Sequence, residues 1–303
     1  MGILHTPVLV DEVVSILGTK LDGCYLDTTF GGGGHSRALL HHLAPTANLF
    51  VSDRDPVAVN LAQQLAATDS RVAYDTAKFS ELAQILSKRE LRAFDGILMD
   101  IGVSSMQLDD AARGFSFLRD GPLDMRMDLT QGETAADWLN RASFNEISQI
   151  LNEFGEERDT HRITKAILEA RPLTSTTQLV RVINQAAKVR DSRKHVATRV
   201  FQAIRIYLND ELEELRKGLL IVGQFLAVSG RLAVISFHSL EHRIVREQFL
   251  SWSAVKLPAK LPVRGAQNRS MKIIERGIRP STRELQINKR ASAALMQVIE
   301  RVE

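Results

Sequence analysis

Residues 25–55 read Tyr25-Leu26-Asp27-Thr28-Thr29-Phe30, then Gly31-Gly32-Gly33-Gly34, then His35-Ser36-Arg37-Ala38-Leu39-Leu40 and, after a short break, Leu49-Phe50-Val51-Ser52-Asp53-Arg54-Asp55. The first run has the composition of a β-strand, the glycines predict a tight turn, and the residues from Ser36 onward predict a helix. A second apolar run ends at Asp53, about twenty residues past the glycines, and this spacing is typical of a nucleotide-binding βαβ unit.

Two features of this stretch favour a ligand of the adenosine type. Only a backbone without Cβ can turn sharply and let a ligand lie against its amides, which explains the glycines. Asp53, at the carboxyl end of the second strand, is placed to accept hydrogen bonds from both ribose hydroxyls. The alternative is a glycine-rich turn with a surface acid, and the acid at this distance favours the cofactor site.

Length and composition limit the classes of protein to consider. The chain has 303 residues, 44% hydrophobic and 25% charged, which suits a soluble globular protein with one large domain or a domain carrying an insertion. A single cysteine, Cys24, excludes a disulfide framework and a multi-thiolate metal site, so we expect a reducing, cytoplasmic compartment and no metal. The most apolar stretch, residues 219–235, is interrupted by Gln224 and Arg231 and predicts no membrane span.

The order of predicted elements indicates an α/β domain with an insertion. Strands and helices alternate up to a strong strand, residues 94–100, which predicts a parallel doubly wound sheet with its ligand at the carboxyl ends of the strands. Residues 101–128 are loop-like, and the periodicity from Ala135 to about Leu215 is helical. Strands resume at residues 231–237. We therefore predict a first part of the sheet domain at 1–107, a helical insertion at 108–208 and a second part at 209–303.

Two basic segments suggest a nucleic-acid surface, although the net charge is only +3. Solvated surface charge is the alternative. The cations of the two segments are Arg181, Lys188, Arg190, Arg193, Lys194, Arg199 and Arg205, and then Lys256, Lys260, Arg264, Arg269, Lys272, Arg276, Arg279, Arg283, Lys289 and Arg290.

Two cofactors compete for the glycine turn. A dehydrogenase would hold a pyrophosphate there, but Asp27, just before the glycines, would repel it and would suit a cationic amino or sulfonium group. S-adenosylmethionine carries both groups. Asp100, at the end of the fourth strand, adds a second acid at the same edge. Phe79 is a candidate for the adenine face, with a core aromatic residue as the alternative.

The position of the cysteine also bears on the reaction. Methylation at carbon 5 of a pyrimidine needs a thiolate nucleophile, and Cys24 lies before the cofactor strand, far from its carboxyl end. Zinc-dependent deamination needs thiolate ligands that the sequence lacks. Direct methyl transfer to an amine needs neither, only acceptors for the N–H groups, in-line geometry and a dry pocket.

Several long segments together resemble one known family over nearly the whole chain. They include His5-Thr6-Pro7-Val8-Leu9, Asp27-x-Thr29-Phe30-Gly31-x-Gly33-Gly34-His35-Ser36, Asp100-Ile101-Gly102-Val103-Ser104-Ser105-x-Gln107-Leu108-Asp109, Gly121-Pro122-Leu123-Asp124-Met125-Arg126-Met127-Asp128, Gly155-Glu156-Glu157-Arg158 and Ser236-Phe237-His238-Ser239-Leu240-Glu241. The family that they resemble is the bacterial ribosomal RNA small subunit methyltransferase H. The chain departs from its pattern at His242 and at residues 288–293.

The resemblance implies a Rossmann-like S-adenosylmethionine-dependent methyltransferase sheet with an inserted all-helical domain that recognises substrate. It implies methylation of N4 of one cytidine of 16S rRNA in the decoding centre of the small ribosomal subunit, with no membrane partner. Carried over residue by residue, the cofactor contacts are Gly33, Gly34, His35, Asp53, Phe79, Asp100 and Gln107. Of these, His35 and Gln107 rest on the resemblance alone.

For the acceptor, we expect a cytosine that is unpaired or flipped into a pocket beside the glycine turn. Groups in residues 100–105 would accept its N–H bonds, and Phe237 or His238 would stack on it. His238 is also a weak candidate for the catalytic proton acceptor, with a structural histidine as the alternative. Two other functions remain open: methyl transfer to DNA or protein, and a non-enzymatic ribosome-binding factor. Oligomeric state is open as well, with a homodimer among the alternatives.

Overall fold

The computed structural model describes residues 7–187, 196–254 and 270–303. These residues form two compact units. The sheet unit comprises the residues up to Gly102 and those from Leu212 onward, and the helical unit is Val103–Glu211. The sequence analysis places the boundaries after residues 107 and 208. The structure places them after Gly102 and Glu211.

The sheet unit is built on a seven-stranded sheet in the described part of the chain, with strand order β3-β2-β1-β4-β5-β7-β6. Strands β1 to β5 are parallel, and β7 runs antiparallel to β5 and β6. The order reverses between β1 and β4, so a ligand crevice is expected at the carboxyl ends of these two strands. The strands are β1 (Cys24–Asp27), β2 (Asn48–Asp53), β3 (Val72–Thr76), β4 (Phe94–Asp100), β5 (Leu226–Ser236), β6 (Met271–Ile278) and β7 (Leu295–Arg301).

Helices connect the parallel strands in the sheet unit and make up most of the helical unit. The predicted α/β class is confirmed. No helix in the described ranges is long and apolar enough to cross a membrane. The helices are α1 (Val10–Leu17), α2 (Gly34–His42), α3 (Pro56–Thr68), α4 (Leu82–Lys88), α5 (Ser105–Asp109), α6 (Ala135–Arg141), α7 (Phe144–Gly155), α8 (Thr160–Glu169), α9 (Thr176–Ala186), α10 (Val196–Asn209), α11 (Glu211–Gln224), α12 (Ser239–Ser253) and α13 (Thr282–Ile287).

Two segments differ from the sequence prediction. Residues 101–109 were expected to be a loop, but α5 forms because Ser104 and Gln107 make a reciprocal capping box. The late strand was expected at residues 231–237, but β5 begins at Leu226, which pairs with Phe94 before a register shift aligns Gly96 with Arg231. The strand is therefore longer than its most apolar part.

The central strand β4 is buried on both faces. Phe94, Ile97, Leu98 and Met99 have no exposed surface. A continuous apolar run of this kind is typical of a parallel strand covered by helices on both sides. Such a strand is stiff, and it fixes the position of Asp100 at its carboxyl end.

The helical unit has its own apolar core, formed by the inner faces of α6 to α10. The buried side-chain amide of Asn209 links α10 to residues 125–127 in this core. Asn209 Oδ1 accepts a hydrogen bond from Met127 N at 2.7 Å, and its Nδ2 donates to Met125 O at 2.8 Å. Met125 has a φ of 61°, which is unfavourable for a side chain larger than glycine. Asn209 thus holds a strained loop against α10.

Replacing Asn209 with Ala should lower the free energy of unfolding by about 2–4 kcal/mol, because buried backbone groups of Met125 and Met127 lose their partners. The measurement is urea unfolding followed by circular dichroism. Asn60→Ala is the matched control, since Asn60 bonds only to exposed Gln64 in the described contacts. Equal effects of the two substitutions would contradict the role of Asn209.

Candidate active site

The glycine turn between β1 and α2 combines two glycines that pack tightly with one that faces open space. Gly33 has a φ of 75°, and a Cβ on it would lie 2.5 Å from Phe30 Cζ. A Cβ on Gly34 would lie 2.9 Å from Pro7 Cγ. A Cβ on Gly32 would meet no described protein atom within 4 Å. Gly33 and Gly34 therefore serve the packing of the turn, and the space for a ligand lies at Gly32.

Carboxylates at the ends of β1 and β2 hold the turn from both sides. Asp53 Oδ2 accepts a hydrogen bond from Gly31 N at 2.8 Å, and its Oδ1 accepts one from Asp55 N at 2.9 Å. Asp27 accepts from Ser36 Oγ at 2.6 Å and from Thr29 N at 3.1 Å. A carboxylate has about four lone-pair sites, so Asp53 keeps acceptor capacity for ligand hydroxyls.

Asp100 is the least satisfied carboxylate of this edge. Its backbone N–H donates to Thr29 Oγ1 at 2.7 Å, which ties β4 to the glycine turn. Its Oδ2 lies 3.7 Å from His35 Nδ1, beyond hydrogen-bond range. Its Oδ1 is buried and has no hydrogen-bond partner among the described residues. A buried unpaired acceptor of this kind is expensive unless a ligand donates to it.

His35 links the turn to the segment before α1. Its Nε2 lies 2.8 Å from Val8 O, and because a carbonyl only accepts, Nε2 carries the proton of this bond. The opposite nitrogen, Nδ1, faces Asp100 and carries a proton only when the ring is cationic. The ring is buried, so His35 both anchors Val8 and contributes to the electrostatics around Asp100.

The acids of this edge are hard to ionise together. Burial raises the pKa of Asp53 to about 6, and repulsion from Asp55 and Asp27 adds to the shift. Burial likewise raises the pKa of Asp100 to about 6, against the opposing effect of His35 and with repulsion from Asp27 and Glu241. Burial also raises the pKa of Asp27. A cation bound at this edge would offset the repulsion.

Phe79 is positioned by α11. It begins a short 3-10 helix at 79–81, and the Ser80 N–H donates to Glu214 Oε2 at 3.0 Å. A Cβ on Gly218 would lie only 2.8 Å from Phe79 Cβ, so α11 approaches the ring closely. Phe79 is partly exposed, which leaves part of the ring available for stacking.

Gln107 and His238 both occupy helix-capping positions. Gln107 lies in the helical unit, where its Oε1 accepts from Ser104 N at 2.9 Å. His238 is the N-cap of α12, and its Nδ1 accepts from Glu241 N at 3.4 Å. Its Nε2 lies 3.0 Å from Glu241 Oε1. The structure thus gathers Gly33, Gly34, His35, Asp53 and Asp100 around the glycine turn, and it gives Gln107 and His238 local hydrogen-bonding roles.

The two departures from the family pattern also have local roles. His242 Nδ1 lies 2.6 Å from Ser236 Oγ at the end of β5. Asn288 caps a 3-10 helix at 289–293, where its Oδ1 accepts from Arg290 N at 3.1 Å. Both residues therefore stabilise the backbone around the last strands of the sheet.

Only part of the basic segments can be placed. Arg205 Nε donates to Glu211 Oε1 at 2.7 Å in a largely buried pair, so it is a structural residue. Arg199 lies 3.6 Å from Glu157 Oε2. Predicted residues that fall outside the described ranges are His5, Thr6, Lys188, Arg190, Arg193, Lys194, Lys256, Lys260, Arg264 and Arg269.

Sequence reasoning missed Gly32 and Glu241. Gly32 stands at the variable position of the Gly-x-Gly pattern, so the motif itself gave no signal. Glu241 follows its N-cap by three residues, the spacing of a capping box. Histidine is not among the common N-cap residues, and the box was therefore not recognised.

A family model matches residues 2–302 of the chain, and its description is the MraW methylase family. The chain belongs to the MraW methylase family. A relative from Alteromonas mediterranea named ribosomal RNA small subunit methyltransferase H is 46% identical, covering 98% of this chain and 97% of that protein. One of the same name from Chromohalobacter salexigens is 48% identical over 98% of this chain and 92% of that protein. A solved rRNA methylase from Streptococcus thermophilus aligns over 100% of both chains at 9% identity, with a TM-score of 0.40.

The cofactor of this MraW methylase is S-adenosylmethionine, which supplies an electrophilic methyl group on a sulfonium when bound. The residues of the turn fit it. Open space at Gly32 lets a ligand approach the backbone, and the unpartnered Oδ1 of Asp100 lies among acids that favour a cation. We expect Asp53 to accept the ribose hydroxyls and Phe79 to contact the adenine.

Cofactor affinity of the MraW methylase should weaken as the pH falls from 7 to 5. Asp53 and Asp100 have a pKa of about 6, so both gain protons in this window and lose the charge that attracts a cation. Isothermal titration calorimetry should show a dissociation constant about tenfold higher at pH 5. The Asp100→Asn variant should bind the cofactor more weakly, and its dissociation constant should change less with pH. A pH-independent constant for the wild type would contradict the assignment.

Asp100→Asn should raise the melting temperature of the cofactor-free MraW methylase at pH 7.5 while reducing the further rise on cofactor addition. An acid whose pKa is raised by folding holds more protons in the folded state, so stability falls as pH rises from about 4 to 6. Removing the acid restores that stability above pH 6. Because Asp100 is partly exposed, the gain should be about 2–4 °C by differential scanning fluorimetry. A lower melting temperature at pH 7.5 would contradict this interpretation.

Proposed function

We propose that this chain transfers a methyl group from S-adenosylmethionine to the exocyclic N4 of one cytidine of 16S rRNA in the small ribosomal subunit. The observation that carries the proposal is 46–48% identity, over 98% of the chain, to relatives named ribosomal RNA small subunit methyltransferase H. The acids and the open glycine turn described above support the methyl-donor half of the reaction.

The chemistry around β1 and β4 supports an amine as acceptor. Cys24, the only cysteine of the sequence, is the first residue of β1 and therefore lies at the opposite end of the strand from Asp27. Carbon-5 methylation of a pyrimidine through a thiolate is thus disfavoured. Amine methylation instead requires acceptors that hold the N–H bonds, and the backbone carbonyls of residues 100–102 would supply such acceptors.

The mechanism that we infer relies on positioning. The amino group of cytosine is a weak nucleophile because its lone pair is delocalised into the ring. Acceptors at the end of β4 would orient its N–H bonds so that the nitrogen lone pair points towards the methyl group. His238 remains the weak candidate for the proton acceptor, although both its ring nitrogens face Glu241.

Substrate recognition is assigned to the helical unit as part of the same proposal. Its exposed cations include Arg162 and Arg181, and solvent-facing cations of this kind can bind RNA phosphates. We propose 16S rRNA in the assembled small subunit as the partner, with contact through phosphates and through the splayed target base.

The test is transfer of labelled methyl from S-adenosylmethionine to small ribosomal subunits from a strain lacking this protein, followed by digestion and mass spectrometry of the nucleosides. N4-methylcytidine at one site is expected, with Asp100→Asn protein as the inactive control. Free 16S rRNA run in parallel should be a poorer substrate. Label on another base would contradict cytidine N4 as the acceptor. If neither the small subunits nor free 16S rRNA were labelled, the proposed function would be wrong.

A further inference from the structure

Glu241 is a fully buried carboxylate in the first turn of α12. Its Oε2 accepts a hydrogen bond from Phe237 N at 2.7 Å and a longer one from His238 N at 3.3 Å. A capping box usually bonds the N-cap residue, here His238. In this chain the shorter bond goes to Phe237, the residue before the cap. The carboxylate therefore fixes the backbone of the whole connection between β5 and α12.

This connection lies beside the end of β4. Gly102 has a φ of 103°, and a Cβ on it would lie 3.7 Å from Phe237 Cδ2 and 3.9 Å from Glu241 Oε1. The Phe237 ring and the Glu241 carboxylate thus both approach the backbone two residues after Asp100. Repulsion from Glu241 also contributes to the raised pKa of Asp100, after burial and the charge of Asp27.

Phe237 can provide an aromatic surface beside residues 100–102. It packs against the apolar core of the sheet unit and is partly exposed. Proteins that bind unpaired bases commonly stack them on aromatic side chains. The loop after β4 reads Ile101-Gly102-Val103 and offers no aromatic residue of its own. An aromatic wall beside residues 100–102 has to come from a neighbouring element, and Phe237 is adjacent.

We propose that Glu241 is a positioning residue that holds Phe237 beside residues 100–102, where the ring stacks on the base that accepts the methyl group. The proposal rests on the proposed function for the identity of the base. Its structural part, the restraint of Phe237 by Glu241, stands independently of the reaction. Since one oxygen, Oε2, accepts both backbone bonds, a glutamine at position 241 could accept both through its amide oxygen.

Four variants test the proposal: Glu241→Ala, Glu241→Gln, Phe237→Leu and, as the matched control, Glu247→Ala. Glu247 lies on the exposed face of the same helix. The measurements are hydrogen exchange of the 237–238 amides, the cofactor dissociation constant, and kcat and KM for methylation of small subunits. Hydrogen exchange can be measured on an inactive protein. It therefore tests whether Glu241 restrains Phe237 even if the proposed function is wrong.

Glu241→Ala should speed exchange of the 237–238 amides and lower kcat/KM for the RNA substrate about tenfold or more, the range expected for a lost stacking contact. Phe237→Leu should lower kcat/KM similarly while leaving exchange of the loop amides near wild type. Glu241→Gln should restore the amide exchange to within about threefold of wild type, because its amide oxygen keeps both backbone hydrogen bonds. The dissociation constant of the cofactor should change less than about twofold in all variants. Glu247→Ala should match the wild type in amide exchange and in kcat/KM.

Three results would overturn the proposal. One is unchanged kcat/KM in Phe237→Leu, which is decisive even if Glu241→Ala does not fold. Another is unchanged exchange of the loop amides in folded Glu241→Ala. The third is an equal loss of cofactor affinity and RNA turnover in Glu241→Ala, which would make Glu241 a residue of general stability. Absence of transfer by the wild type would instead remove the proposed function and leave the exchange result to decide the restraint.

Discussion

The hydrogen bond from Gly31 N to Asp53 Oδ2 is the interaction on which the site depends. It joins the glycine turn to the end of β2, and Asp27 holds the other side of the turn through Ser36. Asp27 is buried and Asp53 is partly buried where they make these bonds, and their burial next to one another raises the pKa of both. The fold therefore keeps acids where a neutral side chain would be more stable, which is a common property of functional sites.

The repulsion among these acids favours one class of ligand at the carboxyl ends of β1, β2 and β4. A pyrophosphate would add negative charge to Asp27, Asp53 and Asp100, whereas a sulfonium or ammonium group offsets the charge already there. His35 limits the repulsion at Asp100 but lies 3.7 Å away, too far to bond. The unpartnered oxygen of Asp100 is thus left for a ligand. Selectivity between two nucleotide-type cofactors follows from acids at the ends of β1 and β4, and the glycine turn is compatible with either.

The sequence predicts the elements that obey short-range rules and misses contacts made across loops. Strand β4, the βαβ spacing and the placement of Asp53 and Asp100 all follow from periodicity, because an acid that ends a parallel strand must lie at the carboxyl edge. The separate roles of Gly32, Gly33 and Gly34 depend on which neighbour approaches each Cα, and no local pattern records that. The helix α5 was missed because its capping box lies within a stretch with no apolar period.

The strands on the two sides of the switch point carry different groups of residues. Strands β1 and β2 present the glycine turn and its acids, while β4 and β5 lead into residues 100–102 and Phe237, beside which we propose that the acceptor base lies. Glu241 Oε2 accepts hydrogen bonds from the Phe237 and His238 amides in the second group. The two groups are also joined, because the Asp100 N–H donates to Thr29 Oγ1 and ties the end of β4 to the glycine turn. The fold alone therefore does not decide the acceptor, which depends on the residues placed at this edge of the sheet.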